Sequence, residues 1–169
     1  NSISATPRPE GPDTMTIAVA DDEILNFAYG SNLTLSYVHE QCPSARTVMH
    51  AQLPNYSIQF RRYSTNMKGG ISTIIETPGG LVRGAIYAIR RQELDAMDVL
   101  ENVGEGLYLR QTFRVLGEDG AWHLADLYRV AQPAGPFPPA QDYLALMVRG
   151  AQEHALPDDY IVGLRALEG

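Results

Sequence analysis

Tyr108-Leu109-Arg110-Gln111-Thr112-Phe113-Arg114-Val115-Leu116, then Gly117-Glu118-Asp119-Gly120-Ala121, then Trp122-His123-Leu124-Ala125-Asp126-Leu127-Tyr128-Arg129-Val130 carries the strongest hairpin signal in this chain. Two runs rich in β-branched and aromatic residues flank a short cluster of turn formers, the pattern of adjacent antiparallel strands. Upstream, residues 92–100 predict a helix with Leu94, Met97 and Leu100 on one face. Before it, β-like runs fall at 47–53, 56–63, 71–76 and 82–89, with Pro78-Gly79-Gly80 as a turn signal between the last two. The first ordered signal is a short apolar strand at 24–29. It ends at Gly30-Ser31-Asn32, whose Ser and Asn suit the cap of a helix over 33–41. Downstream, the Pro-rich segment 132–139 blocks regular structure, and two helices follow at 141–154 and 158–167, broken at Leu156-Pro157. Strands dominate the middle and helices the end, without βαβ alternation. The fold class is therefore α+β with a mixed or antiparallel sheet. Residues 1–22 read as a flexible leader, rich at its start in Pro, Ser, Thr and Gly, and 23–169 as one domain.

Composition narrows the function. At 169 residues, 44% hydrophobic and 20% charged, the chain suffices for one well-packed core. No apolar run approaches the ~18 residues of a membrane span, so no membrane partner is expected. A formal net charge of -7 with dispersed basic residues disfavours nucleic acid, which needs a basic stripe. A small-molecule partner fits better. The single cysteine, Cys42, cannot form an internal disulfide, and no secretory signal is visible, so a cytoplasmic location is expected. The triplets Asn32-Leu33-Thr34 and Asn55-Tyr56-Ser57 resemble glycosylation sites but have no meaning outside the secretory pathway.

Several chemistries lack their residues. His39, His50, His123 and His154 are scattered, with no metal-ligand spacing, so no metal site is expected. There is no G-x-S-x-G elbow, Walker A loop or G-x-G-x-x-G, and Cys42 precedes a proline with no His placed by sequence to activate it. Two stretches stand out. In Tyr29-Gly30-Ser31-Asn32-Leu33, a strand-to-helix turn would expose backbone N–H groups able to hold a carboxylate or an oxyanion; the plain alternative is a capped turn. In Leu100-Glu101-Asn102-Val103-Gly104-Glu105-Gly106-Leu107-Tyr108, a helix ends in a Gly-rich bend. Leu100, Val103 and Leu107 around Glu101 would desolvate its carboxyl and raise its pKa towards general acid–base use; the alternative is a solvated last-turn glutamate.

Together these stretches resemble the signature of the γ-glutamylcyclotransferase family. The similarity begins at Phe27-Ala28-Tyr29-Gly30-Ser31-Asn32-Leu33 and continues through Pro43-Ser44-Ala45, Lys68-Gly69-Gly70-Ile71-Ser72-Thr73-Ile74 and Val82-Arg83-Gly84-Ala85-Ile86-Tyr87. It then takes in Met97-Asp98-Val99-Leu100-Glu101, Tyr108, Tyr128, Tyr143, Gly150-Ala151 and Leu156-Pro157-Asp158-Asp159-Tyr160, in order, from about residue 25 to 167. The resemblance implies a mixed barrel-like sheet flanked by helices. It implies an enzyme that releases an amino acid or amine from a γ-glutamyl substrate while the glutamyl part leaves as 5-oxoproline. Glu101 would be the general acid/base. Tyr29, Gly30, Ser31, Asn32, Leu33, Tyr108, Tyr128 and Tyr143 would bind substrate, the backbone of Gly30, Ser31 and Leu33 holding an anion. No cofactor or metal is implied, and a homodimer is. The family usually has Gly directly after the catalytic Glu. This chain has Asn102, the next most tolerant residue if that position needs φ > 0. Three other readings stay open: a specialised enzyme that strips a γ-glutamyl protecting group from an amine, a non-catalytic binding module on the same fold, and a Cys42 hydrolase.

Overall fold

Two long strands frame the molecule. The computed structural model describes residues 17–167. Strand β2 (Arg46–Ser64) turns back into β3 (Gly69–Arg90), and the two pair antiparallel along nearly their whole length. Strand β1 (Glu23–Ala28) pairs antiparallel with β3, while β4 (Tyr108–Gly117) and β5 (Trp122–Val130) form the expected hairpin. A short parallel contact, Asn26 opposite Asp126, closes the order β1-β3-β2-β4-β5 into a barrel. The sheet is therefore mixed and barrel-shaped.

Four helices lie outside it: α1 (Leu35–Gln41), α2 (Arg91–Leu100), α3 (Gln141–Glu153) and α4 (Asp158–Arg165). Inside the barrel, Phe27, Leu53, Ile74, Val82, Ile86, Val115 and Leu127 form the central core. On the outer face of β3, Ala85, Tyr87 and Ile89 pack with Leu33, Val38, Cys42, Leu94 and Met97 beneath α1 and α2. Successive β3 side chains thus point into two different apolar cores, which is why its sequence lacks a polar/apolar alternation. Phe60, Leu144, Met147, Leu156, Ile161 and Leu164 make a third core under α3 and α4.

Several expectations are corrected. The runs at 47–53 and 56–63 are one strand, as are 71–76 and 82–89. The Pro78-Gly79-Gly80 signal marks an excursion inside β3, not an end. The register passes from Leu81 opposite Pro54 to Glu76 opposite Tyr56, and Asn55 Oδ1 accepts the Gly79 N–H at 3.1 Å. The helix expected over 33–41 begins at Leu35, after a 3-10 turn at Ser31–Leu33, and neither element has a side-chain cap. Of the three residues expected on one face of α2, Leu94 and Met97 are buried, while Leu100 is 57% exposed in the helix's final turn. The leader expected over 1–22 lies, for residues 1–16, outside the described residues. At its end Ile17 packs against the central core, and Ala18 O accepts from Arg46 Nη2 at 3.0 Å.

Candidate active site

Strand β1 leads directly into the site. Past Ala28 the chain leaves the barrel at Tyr29 and Gly30 and enters the 3-10 turn at Ser31–Leu33. Gly30 leaves room for two hydroxyls: a Cβ would lie 2.7 Å from Tyr143 Oη and 2.9 Å from Ser72 Oγ and would push them aside. Two supports hold the turn from behind. The Tyr87 hydroxyl, bonded to His154 Nε2 at 2.9 Å, lies 2.8 Å from Asn32 O and 3.2 Å from Leu33 O. Helix α3 abuts the turn through Gly150, and Thr34 Oγ1 donates to Leu146 O at 2.6 Å.

Beside the loop lies a cavity of about 300 Å³, within the range of small-molecule sites. Its lining includes Tyr29, Gly30, Ser31, Asn32, Glu101, Tyr108, Tyr128 and Tyr143. Leu33 is not part of it. Its side chain is buried in the core below, and its N–H closes the 3-10 turn on Gly30 O at 3.1 Å. This corrects the expectation that the Leu33 backbone holds an anion. The Ser31 and Asn32 N–H groups have no backbone acceptor among the described residues, as befits the first residues of a helical turn.

Glu101 sits at the end of α2, its N–H bonded to Met97 O at 2.9 Å. The next residue reverses the chain. Asn102 has φ 53° and ψ 42°, a left-handed conformation that asparagine tolerates better than most residues. The bend is tied by Leu107 N–H donating to Asn102 O at 3.1 Å. Burial pushes the Glu101 carboxyl above the ordinary glutamate value, and the nearby Arg62 guanidinium acts weakly the other way. Leu100 points to solvent and so does not shield Glu101 as expected, whereas Val103 and Leu107 are half-buried. Glu101 lines the cavity together with Tyr29, Tyr108, Tyr128 and Tyr143.

The tyrosines differ in what their hydroxyls can offer. Tyr29 Oη donates to Tyr128 O across the barrel seam, and Tyr128 Oη donates to Asp98 Oδ1 on α2. Arg110 anchors Asp98 in turn, at 3.4 Å. Both hydroxyls are thus already committed as donors. Tyr143 Oη and Ser72 Oγ are 2.9 Å apart, with Ser31 also directed at the phenol oxygen. Tyr108 Oη has no hydrogen-bond partner among the described residues, and the Arg62 guanidinium lies 5.2 Å from its ring centroid. Burial raises the pKa of all four phenols, so each stays protonated at neutral pH.

Sequence reasoning missed Tyr37, Ser72 and Arg62. Ser72 lies in a stretch quoted for the family resemblance, so that signal was present. Tyr37 and Arg62 arrive from α1 and β2 through tertiary folding, with no local pattern to mark them. The rival nucleophile fails on geometry. Cys42 is fully buried outside the cavity, 3.8 Å from Glu93 O, and burial pushes its thiol up to about 11. None of the four histidines lines the cavity, and among the described residues no group of three His, Cys, Asp or Glu is placed to hold a metal. No helix there is long and apolar enough to cross a membrane.

A carboxylate facing a glycine turn on a closed mixed barrel places the molecule in a recognisable class of fold. The AIG2-like family model matches residues 81–164. A solved structure described as a γ-glutamyl cyclotransferase superposes with a TM-score of 0.81 at 30% identity, covering 85% of this chain and 87% of that one. The curated human γ-glutamylcyclotransferase is 30% identical over 94% of this chain and 82% of its own length. The mouse protein of the same name is 30% identical over 87% and 80%. The chain belongs to the γ-glutamylcyclotransferase family.

Proposed function

We propose that the protein converts γ-glutamyl compounds into 5-oxoproline and a free amino acid or amine, with Glu101 carrying the proton. The observation that supports this most strongly is a desolvated carboxyl sharing one small cavity with the Gly30–Ser31–Asn32 turn.

The chemistry needs no protein nucleophile. The substrate's own α-amine attacks its γ-carbonyl, forming the new C–N bond of the lactam. The Glu101 carboxylate takes one proton from the α-ammonium before attack and returns it to the leaving nitrogen as the scissile C–N bond breaks. The second proton, which the ring nitrogen sheds as the lactam forms, is released with the products and protonates the freed amine. Such proton transfer is worth about 10²–10⁴-fold. Holding the amine against the carbonyl supplies more, up to about 7–11 kcal/mol in the best intramolecular reactions. The Asn32 N–H is the donor for the developing oxyanion or for the substrate carboxylate, next to the Ser31 N–H, which is directed at Tyr143 Oη. Tyr108 and Tyr143 are the phenols best placed to add hydrogen bonds.

The test is 5-oxoproline release, followed by chromatography, from a panel of γ-glutamyl amino acids and γ-glutamyl amines. Product from at least one of them, in equimolar amount with the free amine, is the expected outcome. A chain that binds these compounds yet converts none would instead be a binding module.

A further inference from the structure

Tyr87 and His154 are both buried, and neither lines the cavity. The groups around the Tyr87 hydroxyl fix the direction of its hydrogen bonds. Asn32 O at 2.8 Å and Leu33 O at 3.2 Å are carbonyls, which only accept. A phenol has one proton to give. Turned towards His154, that proton would leave the Tyr87 oxygen facing two carbonyl oxygens with no hydrogen between them. It therefore goes to the carbonyls, chiefly the nearer one, and His154 Nε2, 2.9 Å away, donates to Tyr87 Oη. Burial and the neighbouring His50 hold the imidazole pKa below the ordinary histidine value, against the Leu33 carbonyl and Glu153. In the neutral ring the proton thus sits on Nε2.

From Tyr87 the bonds continue through the backbone. Asn32 O belongs to the same peptide group as the Leu33 N–H, which donates to Gly30 O at 3.1 Å. Gly30 O belongs to the same peptide group as the Ser31 N–H, which is directed at Tyr143 Oη. Every donor points the same way, from His154 through Tyr87 and two peptide groups to a phenol that lines the cavity. Hydrogen bonds aligned head to tail polarise one another, by about 10–30% per bond. Accepting from Ser31 leaves Tyr143 its own proton, for Ser72 Oγ at 2.9 Å or for a substrate oxygen.

We infer that His154 and Tyr87 are positioning residues, which act through the two peptide groups of the glycine turn to hold and polarise Tyr143 as a hydrogen-bond donor to the developing oxyanion. The inference rests on the cyclotransferase reading above and extends its machinery to two side chains outside the cavity.

Two measurements test it. Nitrogen NMR of histidine-labelled wild type, recorded without substrate on the alkaline side of neutrality, reads which ring nitrogen of His154 carries the proton. His154→Gln identifies the signals. A proton on Nε2 is expected, and one on Nδ1 overturns the inference. The second measurement is kinetic, on the γ-glutamyl compound that is converted fastest. Tyr87→Phe deletes only the hydroxyl and should lower kcat about 3- to 10-fold, the worth of one neutral hydrogen bond. KM should change little, because the donor acts on charge that exists only in the transition state. His154→Leu should behave alike, whereas His154→Gln, whose amide can still donate to Tyr87, should keep most of the rate. Thermal melts report that each variant is folded. In a Tyr143→Phe background, Tyr87→Phe should cost no further kcat, since the chain then ends on no donor. An equal loss in both backgrounds overturns the inference, because Tyr87 would then only stiffen the turn. A loss confined to KM overturns it as well. If no γ-glutamyl compound gives 5-oxoproline, the cyclotransferase reading fails and the role of the chain falls with it, while the nitrogen signals still report the direction of the bonds.

Discussion

Glu101→Gln is expected to lower 5-oxoproline release by at least about 10²-fold without unfolding the chain. Gln keeps the shape and hydrogen-bonding reach of the side chain but cannot take a proton from an ammonium. Glu101→Ala should lose as much or more. The wild-type rate should also fall on the acid side at a pH above the ordinary glutamate value of 4.5, because burial raises the carboxyl and the carboxylate is the working form. The stability consequence has the opposite sense from a salt-bridged acid. With the folded-state pKa raised, the folded protein holds the proton more tightly than the unfolded chain. Stability therefore declines as pH rises from the unfolded value through the folded one. At neutral pH the ionised Glu101 is a burden on folding, so Glu101→Gln should melt no lower than wild type. A variant that melts normally and turns over at the wild-type rate would remove Glu101 from the mechanism.

The second large effect is expected at Gly150, where α3 crosses the 3-10 turn. A Cβ there would lie 2.4 Å from both the carbonyl carbon and the Cβ of Leu33, and 2.6 Å from Thr34 N. Helix propensity favours Gly150→Ala by up to about 1 kcal/mol. Overpacking costs about 1–3 kcal/mol, and here the obstacle includes backbone rather than the free end of a flexible side chain. The cost should win, with a net loss of about 1–2 kcal/mol and a fall in melting temperature of about 2–8 °C. The strain falls on the segment that presents the Ser31 and Asn32 N–H groups, so kcat should drop further than instability alone explains. A raised melting temperature would show that α3 can move away from the turn at little cost.

How much of this was legible follows from where each contact lies along the chain. The hairpin of β4 and β5 was readable because its turn chemistry and both its strands are contiguous. Barrel closure was not. It depends on contacts such as Asn26 Nδ2 donating to Asp126 O, with 100 residues between them. The inner cores also erase the alternation that would have shown β3 to be continuous. Pro78-Gly79-Gly80 misled for a related reason, since residues that suit a turn equally suit an excursion from a long strand. At the site, Glu101 and the glycine turn were readable because each is a short local pattern at an element's end. Which side chains share the cavity with Glu101 was not, because the tyrosines reach it from just past β1 and from β4, β5 and α3.

The enclosure of Cys42 has a practical side. It is the one cysteine in the sequence, it is fully buried, and its thiol stays protonated well above neutral pH. Maleimides and related reagents attack the thiolate and need access to it, so the native protein should be chemically silent towards them. A cysteine introduced at Leu124 or Val162, each 63% exposed, would then take up label alone. A fluorophore or spin probe can thus be attached at one chosen point on the wild-type background, without first replacing a residue that fills the core.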